Sequence, residues 1–425
     1  MVIHVVQEGD TVQSIADSYG ISVTRLIQDN GLEDFGNLVI GQSIVIAIPE
    51  VTYVVKEGDT LEEIANSFDV TIMQLLMNNP FLSERDYIYP GETLVIRYPK
   101  KGSLAVHGNT NPNINIDILR RTLPYLTYLS ILNYTATIDG QIITYMDDTQ
   151  IIETAKAYGV VPLLLLTTLT IQGQANIGIE YNLLLDENVQ NKLIENLLAI
   201  LKGKGYQGVN LSFQYINISN IYLYNAIFEK FSTALNAQGY SVFLTVNPNI
   251  SDEGGEVYFE RVDYSILNEL AQNIIFMNYQ WATNINPPGP ISSVNNLDVF
   301  LDYINNYIPP DKSIVGIPTI GYDWELPYLP GLSSVYSLSY QRAVSLAAEN
   351  NVAIQFDEKS QTPYYLYYDG GVQHIVWFID SRSVNASLDL VIKYSLDGFE
   401  IWNITIYNPQ LWVIINSQYD IVKII

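Results

Sequence analysis

The chain has 425 residues, which is enough for one large domain together with one or two small ones. Its 45 acidic and 20 basic residues give a net charge of −25, which argues against nucleic acids and anionic membranes as partners. It contains no Cys, and its three His lie far apart in the sequence. Disulfides and thiolate metal sites are therefore excluded, and neither a metal nor another cofactor is expected.

The composition also predicts an unusual surface. Charged residues make up only 15% of the chain, and 32 residues are Tyr. Such a surface repels its neighbours weakly, so lateral self-association is one interpretation, and a base-composition bias in the source genome is the other. The first residues contain no basic segment followed by an apolar one, and no apolar run reaches about 18 residues. We therefore expect neither a secretory signal nor a membrane span.

Two copies of one pattern open the chain, 49 positions apart: Gly9-Asp10-Thr11 recurs as Gly58-Asp59-Thr60, and Asn30 recurs as Asn79. A fixed period of this size is typical of tandem modules. Each copy reads strand, helix, helix, strand, with the Thr of the motif at the position of a helix N-cap. The copies resemble the LysM module, a small α+β fold. We assign residues 1–48 to the first module and residues 49–100 to the second.

The LysM resemblance implies binding of N-acetylglucosamine polymers such as peptidoglycan, in a groove beside two turns of each copy. The alternative is that the turn residues serve only as turn and helix cap. The implied contacts are Gly9, Asp10, Thr11, Asn30, Gly31 and Leu32 in the first copy, and Gly58, Asp59, Thr60, Asn79, Pro80 and Phe81 in the second.

From residue 101 to the end, short apolar segments alternate with helical ones, which is typical of a parallel sheet. Eight such segments predict an α/β fold of the (β/α)8 TIM barrel type; the alternative is an open doubly wound sheet, but no Gly-x-Gly-x-x-Gly loop supports it. An insertion at about residues 323–380 predicts a small α+β subdomain. The predicted strands are Leu104–Gly108, Tyr128–Thr137, Pro162–Thr167, Gly208–Tyr215, Ser241–Pro248, Asn273–Gln280, Ser313–Tyr322 and Gly398–Ile404.

The fourth predicted strand is the most informative segment. Apolar side chains alternate there with polar Asn210, Ser212 and Gln214, so the polar set faces the barrel interior. Gln214 is the last of them. It lies at the carboxyl end of the strand, where barrels of this type carry their chemistry.

This strand resembles that of glycoside hydrolase family 18, and especially of its spore-associated members that carry LysM modules. The family's Asp-Gly-x-Asp/Asn-x-Asp-x-Glu pattern falls on Gln207, Gly208, Asn210, Ser212 and Gln214, so neutral side chains replace its acids. The resemblance implies that the Glu protonates the glycosidic oxygen while the substrate's own acetamido oxygen attacks the anomeric carbon. An amide has no proton to give, and a positioned acid contributes about 10²- to 10⁴-fold. We therefore expect no catalytic residue at these positions.

The same resemblance implies sugar-binding roles elsewhere in the barrel. Tyr279 and Gln280 fall on the sixth strand, where the Tyr would hold the acetamide group, and Trp402 would form the floor of the pocket for the reactive sugar. Trp281 and Trp324 are further candidates for the cleft. For Tyr279 and Trp402 the alternative is a role in the fold alone. Glu400 precedes Trp402 by two residues on the same strand face, and we interpret it as a buried, paired group.

Three functional hypotheses follow. The main one is a non-catalytic protein of the spore surface or cell wall, anchored to peptidoglycan by its LysM modules, with the barrel as a structural or lectin-like scaffold that associates with itself or with spore-layer proteins. The second is a weak N-acetylglucosaminidase acting on peptidoglycan fragments. The third is an assembly protein without glycan binding. The family resemblance implies synthesis in the mother-cell cytosol and deposition on the spore coat or exosporium.

Overall fold

A computed structural model describes residues 1–32, 38–85, 87–169, 176–213, 216–248, 250–253, 256–277 and 287–425. These residues form two small modules, a closed barrel and a five-stranded subdomain inserted into the barrel. The predicted fold class is thereby confirmed. Over these ranges, no helix is long and apolar enough to cross a membrane.

The two amino-terminal modules share one order of elements. In each, the first and last strands pair antiparallel, and a Thr hydroxyl caps the first helix. Thr11 Oγ1 accepts from Ser14 N at 3.0 Å, and Thr60 Oγ1 accepts from Glu63 N at 3.2 Å. The elements are β1 (Val2–Val5), α1 (Val12–Tyr19), α2 (Val23–Asn30) and β2 (Ser43–Ile46), then β3 (Val51–Val54), α3 (Leu61–Ser67), α4 (Ile72–Asn78) and β4 (Thr93–Arg97).

The barrel begins directly after the second module and alternates strands with helices. Up to the inserted subdomain its elements are β5 (Gly102–Thr110), α5 (Ile116–Thr122), β6 (Tyr128–Ala136), β7 (Ile142–Thr144), α6 (Thr149–Ala157), β8 (Val161–Thr167), α7 (Ile177–Leu185), α8 (Glu187–Lys204), β9 (Gly208–Ser212), α9 (Ile221–Asn236), β10 (Ser241–Val246), β11 (Ile250–Glu253), β12 (Glu256–Phe259), α10 (Leu267–Leu270), β13 (Asn273–Met277), α11 (Val294–Ile304) and β14 (Ser313–Pro318). Short 3-10 turns lie at Pro80–Glu84, Leu123–Tyr125 and Pro310–Lys312.

The inserted subdomain and the last part of the barrel follow. The subdomain contains β15 (Ile320–Leu326), β16 (Val335–Ser339), α12 (Tyr340–Glu349), β17 (Gln355–Asp357), β18 (Thr362–Asp369) and β19 (Val372–Trp377). The chain ends with α13 (Ser381–Lys393), β20 (Gly398–Trp402), α14 (Pro409–Asn416) and β21 (Tyr419–Ile421).

Eight parallel strands close the barrel, because β20 pairs with β5 and β5 pairs with β6. The eight are β5, β6, β8, β9, β10, β13, β14 and β20. Apolar side chains such as Val209 and Leu211 point outward and pack in the core beneath the helices, while the alternate positions fill the interior of the barrel. This alternation places the predicted polar face of β9 inside the barrel.

The predicted seventh strand, Ser313–Tyr322, is wrong in its second half. The barrel strand β14 ends at Pro318, and β15 begins at Ile320 in the separate sheet of the subdomain. Pro318 has no N–H to continue the ladder, and Thr319 N donates instead to Trp402 O at 2.8 Å. The chain therefore leaves the barrel between these two strands.

The first module is packed against the inserted subdomain. Val39 belongs to the apolar core of that subdomain, where it packs with residues of α12 and β18. Ile354 N donates to Ile40 O at 2.9 Å, and Arg382 Nη2 donates to Gly41 O at 3.1 Å. The loop before β2 is thus part of an interface within the protein.

Gly41 and Gly91 offer a matched test of this packing. Both have a left-handed φ, +85° and +91°, so a Cβ strains the backbone at either position. A Cβ on Gly41 would lie 1.9 Å from the carbonyl oxygen of Ile354, whereas none of the described atoms comes within 4 Å of one on Gly91. We expect Gly41→Ala to lose about 1 to 3 kcal/mol more stability than Gly91→Ala. Urea unfolding of the two variants measures the difference, and equal losses would contradict the interface.

Candidate active site

A network of polar side chains fills the middle of the barrel. Asn210 on β9 accepts a hydrogen bond from Thr245 Oγ1 at 2.8 Å and donates to Ser130 Oγ at 3.3 Å. His107 Nε2 lies 2.7 Å from the same Ser130 oxygen. Burial lowers the pKa of His107 to about 3, so the imidazole is neutral. Asn210 is therefore held within the fold by uncharged partners.

Glu400 is the only Asp or Glu in the eight barrel strands as the structure bounds them. Its side chain is 1% exposed, and Asn109 Nδ2 donates to its Oε1 at 2.6 Å. Its second oxygen has no hydrogen-bond partner among the described residues. Burial raises the pKa of Glu400 to about 8, against the smaller opposing effect of Asn109, so the carboxyl carries a proton at neutral pH.

Glu400 is buried and has a partner, as the sequence predicted. The partner, which the sequence did not identify, is a neutral amide. Asn109 is a residue that the sequence reasoning missed. The sequence does contain a signal for this residue, because His107 and Asn109 alternate along β5 and face the barrel interior. In the register between β5 and β20, Asn109 lies beside Trp402.

Trp402 stands at the carboxyl end of β20, beside a cavity. It is half-buried and packs on the apolar side chains that fill the barrel interior. The cavity has a volume of about 190 Å³ and lies between the barrel and the subdomain. Its lining includes Trp402, Thr319, Ser339 and Asn403. An aromatic wall with nearby hydroxyl and amide groups suits a sugar ring.

The other predicted positions divide into three groups. Gln207 immediately precedes β9, at the end of the barrel opposite Trp402, beside Tyr128 and Tyr206. Ser212 ends β9 and is buried. Four predicted positions lie outside the described residues: Gln214, Tyr279, Gln280 and Trp281.

Trp324, predicted to line the cleft, is buried in the subdomain. It is 2% exposed and packs with Tyr322 and Ile291, so that prediction is wrong. Its neighbour on the strand, Asp323, faces the other side. Asp323 accepts a hydrogen bond from Tyr367 Oη at 2.6 Å and lies 3.0 Å from His374 Nδ1. We assign this buried cluster to the stability of the subdomain.

In the LysM modules, the predicted asparagines serve their own folds. Asn30 Nδ2 donates to Leu26 O and Val45 O, both at 2.9 Å, and Asn79 makes the equivalent bonds in the second module. Both asparagines are buried, as is Leu32, so these three side chains are not available to a glycan. Gly9, Thr11, Gly58 and Thr60 are exposed, and Asp10, Gly31, Asp59, Pro80 and Phe81 are half-buried.

The described residues contain no group of three or more His, Asp and Glu that could hold a metal ion. Among the described residues, the barrel interior supplies protonated Glu400 with neutral amides and hydroxyls, and Trp402 adds an aromatic surface at the carboxyl end.

Comparison with known proteins identifies relatives along the whole chain. The sequence model described as "Glycosyl hydrolases family 18" matches residues 165–406, and the LysM domain matches residues 4–47 and 53–97. The chain is 31% identical to the cortical fragment-lytic enzyme of Bacillus anthracis, over 98% of each chain. It is 30% identical to that of Bacillus subtilis strain 168, over 100% of this chain and 99% of the relative.

A solved structure gives the same result. The crystal structure of the Bacillus cereus spore cortex-lytic enzyme SleL superimposes with a TM-score of 0.79 at 28% identity, and covers 99% of both chains. The predicted resemblance to spore-associated, LysM-bearing proteins of this family is therefore confirmed.

The same relatives overturn the main functional prediction. They carry the names of lytic enzymes, so the prediction of a non-catalytic scaffold is wrong. That prediction rested on a few positions of one strand, whereas the similarity to enzymes extends over both modules and the barrel. The predicted self-assembly and contact with spore-layer proteins also find no support in these relatives.

Proposed function

The chain belongs to glycosyl hydrolase family 18 and carries two LysM domains, and from this membership we propose that it is an N-acetylglucosaminidase that hydrolyses peptidoglycan fragments of the spore cortex. The observation that carries the proposal is the similarity to cortical fragment-lytic enzymes over 98% of the chain, modules and barrel together. Relatives that act on the spore cortex also support association with the spore.

The residues of the barrel favour slow turnover. In this family's chemistry the nucleophile is the acetamido group of the substrate, so the protein does not have to supply the attacking group. Ser212 lacks the charge that positions this group, and Gln214 lacks the proton that the leaving group needs. The proton then comes from water or from another acid, and Glu400 is the protonated carboxyl inside the barrel.

The proposed substrate-binding surface combines the cavity with the carboxyl end of the barrel. Trp402 forms its floor, where the face of the indole ring stacks on a pyranose. The family resemblance adds Tyr279 and Gln280 to the proposed sugar site, and Trp281 is a further candidate for it.

The test is hydrolysis of cortex fragments by the purified chain. We expect slow release of fragments with new N-acetylglucosamine reducing ends, detected by mass spectrometry and a reducing-end assay. Trp402→Ala is expected to lower kcat/KM at least tenfold, because it removes the stacking surface. The control is Trp412→Phe, a conservative change in the core away from the cavity, which should retain most of the activity. Absence of product from the unmodified chain after long incubation would reject the proposed function.

A further inference from the structure

The two LysM modules can be aligned by one hydrogen bond that both contain. Gly41 N donates to Val6 O at 2.9 Å in the first module, and Gly91 N donates to Val55 O at 2.8 Å in the second. The two glycines therefore occupy the same position, at the loop that precedes the closing strand. Their surroundings can be compared residue by residue.

In the first module this loop is covered by the rest of the protein. Val39, two residues before Gly41, is 7% exposed and lies in the core of the inserted subdomain. On the neighbouring side of the module, Gln410 Nε2 of α14 donates to Asn30 Oδ1 at 3.0 Å and to Ser43 O at 2.8 Å. The first module thus contacts the subdomain and the last helix of the barrel at once.

In the second module the same loop is exposed to solvent and carries two Tyr side chains. Tyr89, the counterpart of Val39, is 53% exposed, and Tyr87 is 56% exposed. Their ring centroids lie 5.1 Å apart in an edge-to-face arrangement. Around Gly91, no described atom lies within 4 Å of the position a Cβ would take. Two exposed rings beside an open turn form a stacking surface for sugar rings.

Arg85 holds these rings in place. Its guanidinium carbon lies 5.2 Å from the ring centroid of Tyr89 and 5.7 Å from that of Tyr87. Arg85 Nη2 is fixed in turn by Glu92 Oε1 at 2.6 Å. The tyrosines are therefore ordered before a ligand arrives, which lowers the entropy cost of binding.

The second module docks on the protein through another side. Asn416 Nδ2 of α14 donates to Met77 O at 3.1 Å and to Asn78 Oδ1 at 2.9 Å, at the end of α4. Tyr125 Oη also donates to Met77 O, at 2.9 Å. This docking uses the end of the second helix and leaves the aromatic loop exposed.

We propose that the second module is the one that contacts the glycan, through the face formed by Tyr87, Tyr89 and Arg85, and that the first module is a brace between the subdomain and the barrel. The ligand class is a chain of N-acetylglucosamine-containing sugars. The proposal rests on the glycan binding proposed above and is independent of hydrolysis.

The test compares full-length variants in cosedimentation with insoluble peptidoglycan at low temperature, and in titration with N-acetylglucosamine oligomers. Tyr87→Ala/Tyr89→Ala is expected to weaken binding at least tenfold. Tyr87→Phe/Tyr89→Phe keeps the rings and is expected to stay within about threefold of the unmodified chain. Both side chains are exposed, so we expect the modules of each variant to remain folded. Thermal unfolding of each variant checks this.

Two controls make the result decisive. Gln7→Ala/Glu8→Ala alters the exposed turn of the first module and should leave binding unchanged. Tyr258→Ala/Tyr368→Ala removes two exposed tyrosines elsewhere and should do the same. Loss of binding in the first-module variant, or full binding by Tyr87→Ala/Tyr89→Ala, would overturn the inference. If the unmodified chain binds no glycan, the glycan-binding part of the proposed function fails instead.

Discussion

Replacing Gln214 by Glu and Ser212 by Asp together is expected to raise the rate of hydrolysis of cortex fragments by about 10²- to 10⁴-fold over the unmodified chain. The reason is chemical. The family's mechanism needs a proton on the leaving oxygen, and an amide at position 214 cannot provide one. The Asp restores the charge that positions the attacking acetamido group. Both gains act on the bond-breaking step, so kcat should rise much more than KM falls.

The design of the assay separates the two substitutions. Gln214→Glu alone should recover most of the gain, because it restores the acid, and Ser212→Asp alone should recover little. A restored acid also adds a new alkaline limb to the pH profile of kcat, which a purely structural improvement would not produce. If the double variant is no faster than the unmodified chain, another group already protonates the leaving oxygen. Glu400→Gln in the unmodified chain would then abolish turnover.

The barrel could be predicted from the sequence because its determinants are local. Alternation of apolar and polar residues marks β9 without reference to any other part of the chain, and the same holds for the repeated modules. The misplaced end of the seventh strand shows the limit of this signal. Residues that favour strands continue through Thr319 and Ile320, and only the loss of the ladder after Pro318 shows that the chain changes sheets.

The different burial of the two modules could not be predicted in this way. The first and second copies share their turn and cap residues, so the sequence predicted equivalent candidate glycan contacts in both. What distinguishes them is a contact between Ile40 and Ile354, which are far apart in the chain. A pattern within one copy contains no information about which of its faces another part of the protein will cover. The partner of Glu400 was hidden for the same reason, since it depends on the register between β20 and β5.

The second large effect is the pH dependence that Glu400 gives to the free energy of unfolding. Its pKa in the folded protein is about 8, above the 4.5 of an unperturbed glutamic acid, because burial disfavours the charged form. Between these two pH values the folded state keeps a proton that the unfolded state releases. The contribution of protonated Glu400 to the free energy of unfolding is therefore fully present below about pH 4.5 and is lost as the pH rises towards 8. The slope is about 1.4 kcal/mol per pH unit.

We expect Glu400→Gln to remove this slope, because the amide is neutral at every pH and can still accept the hydrogen bond from Asn109. The free energy of unfolding of the variant, relative to that of the unmodified chain, should rise by on the order of 4 kcal/mol between pH 4.5 and pH 8. Urea unfolding of the barrel, followed by Trp fluorescence at several pH values, measures the difference. Glu62→Gln, at an exposed position, is the control for the loss of one carboxyl group. A constant difference for Glu400→Gln would mean that the ionised carboxylate is tolerated inside the barrel. His107 adds its own pH dependence between its folded pKa of about 3 and its ordinary value of 6.5, where the unfolded state binds a proton that the folded state does not. This contribution is common to both chains and cancels in the difference between them.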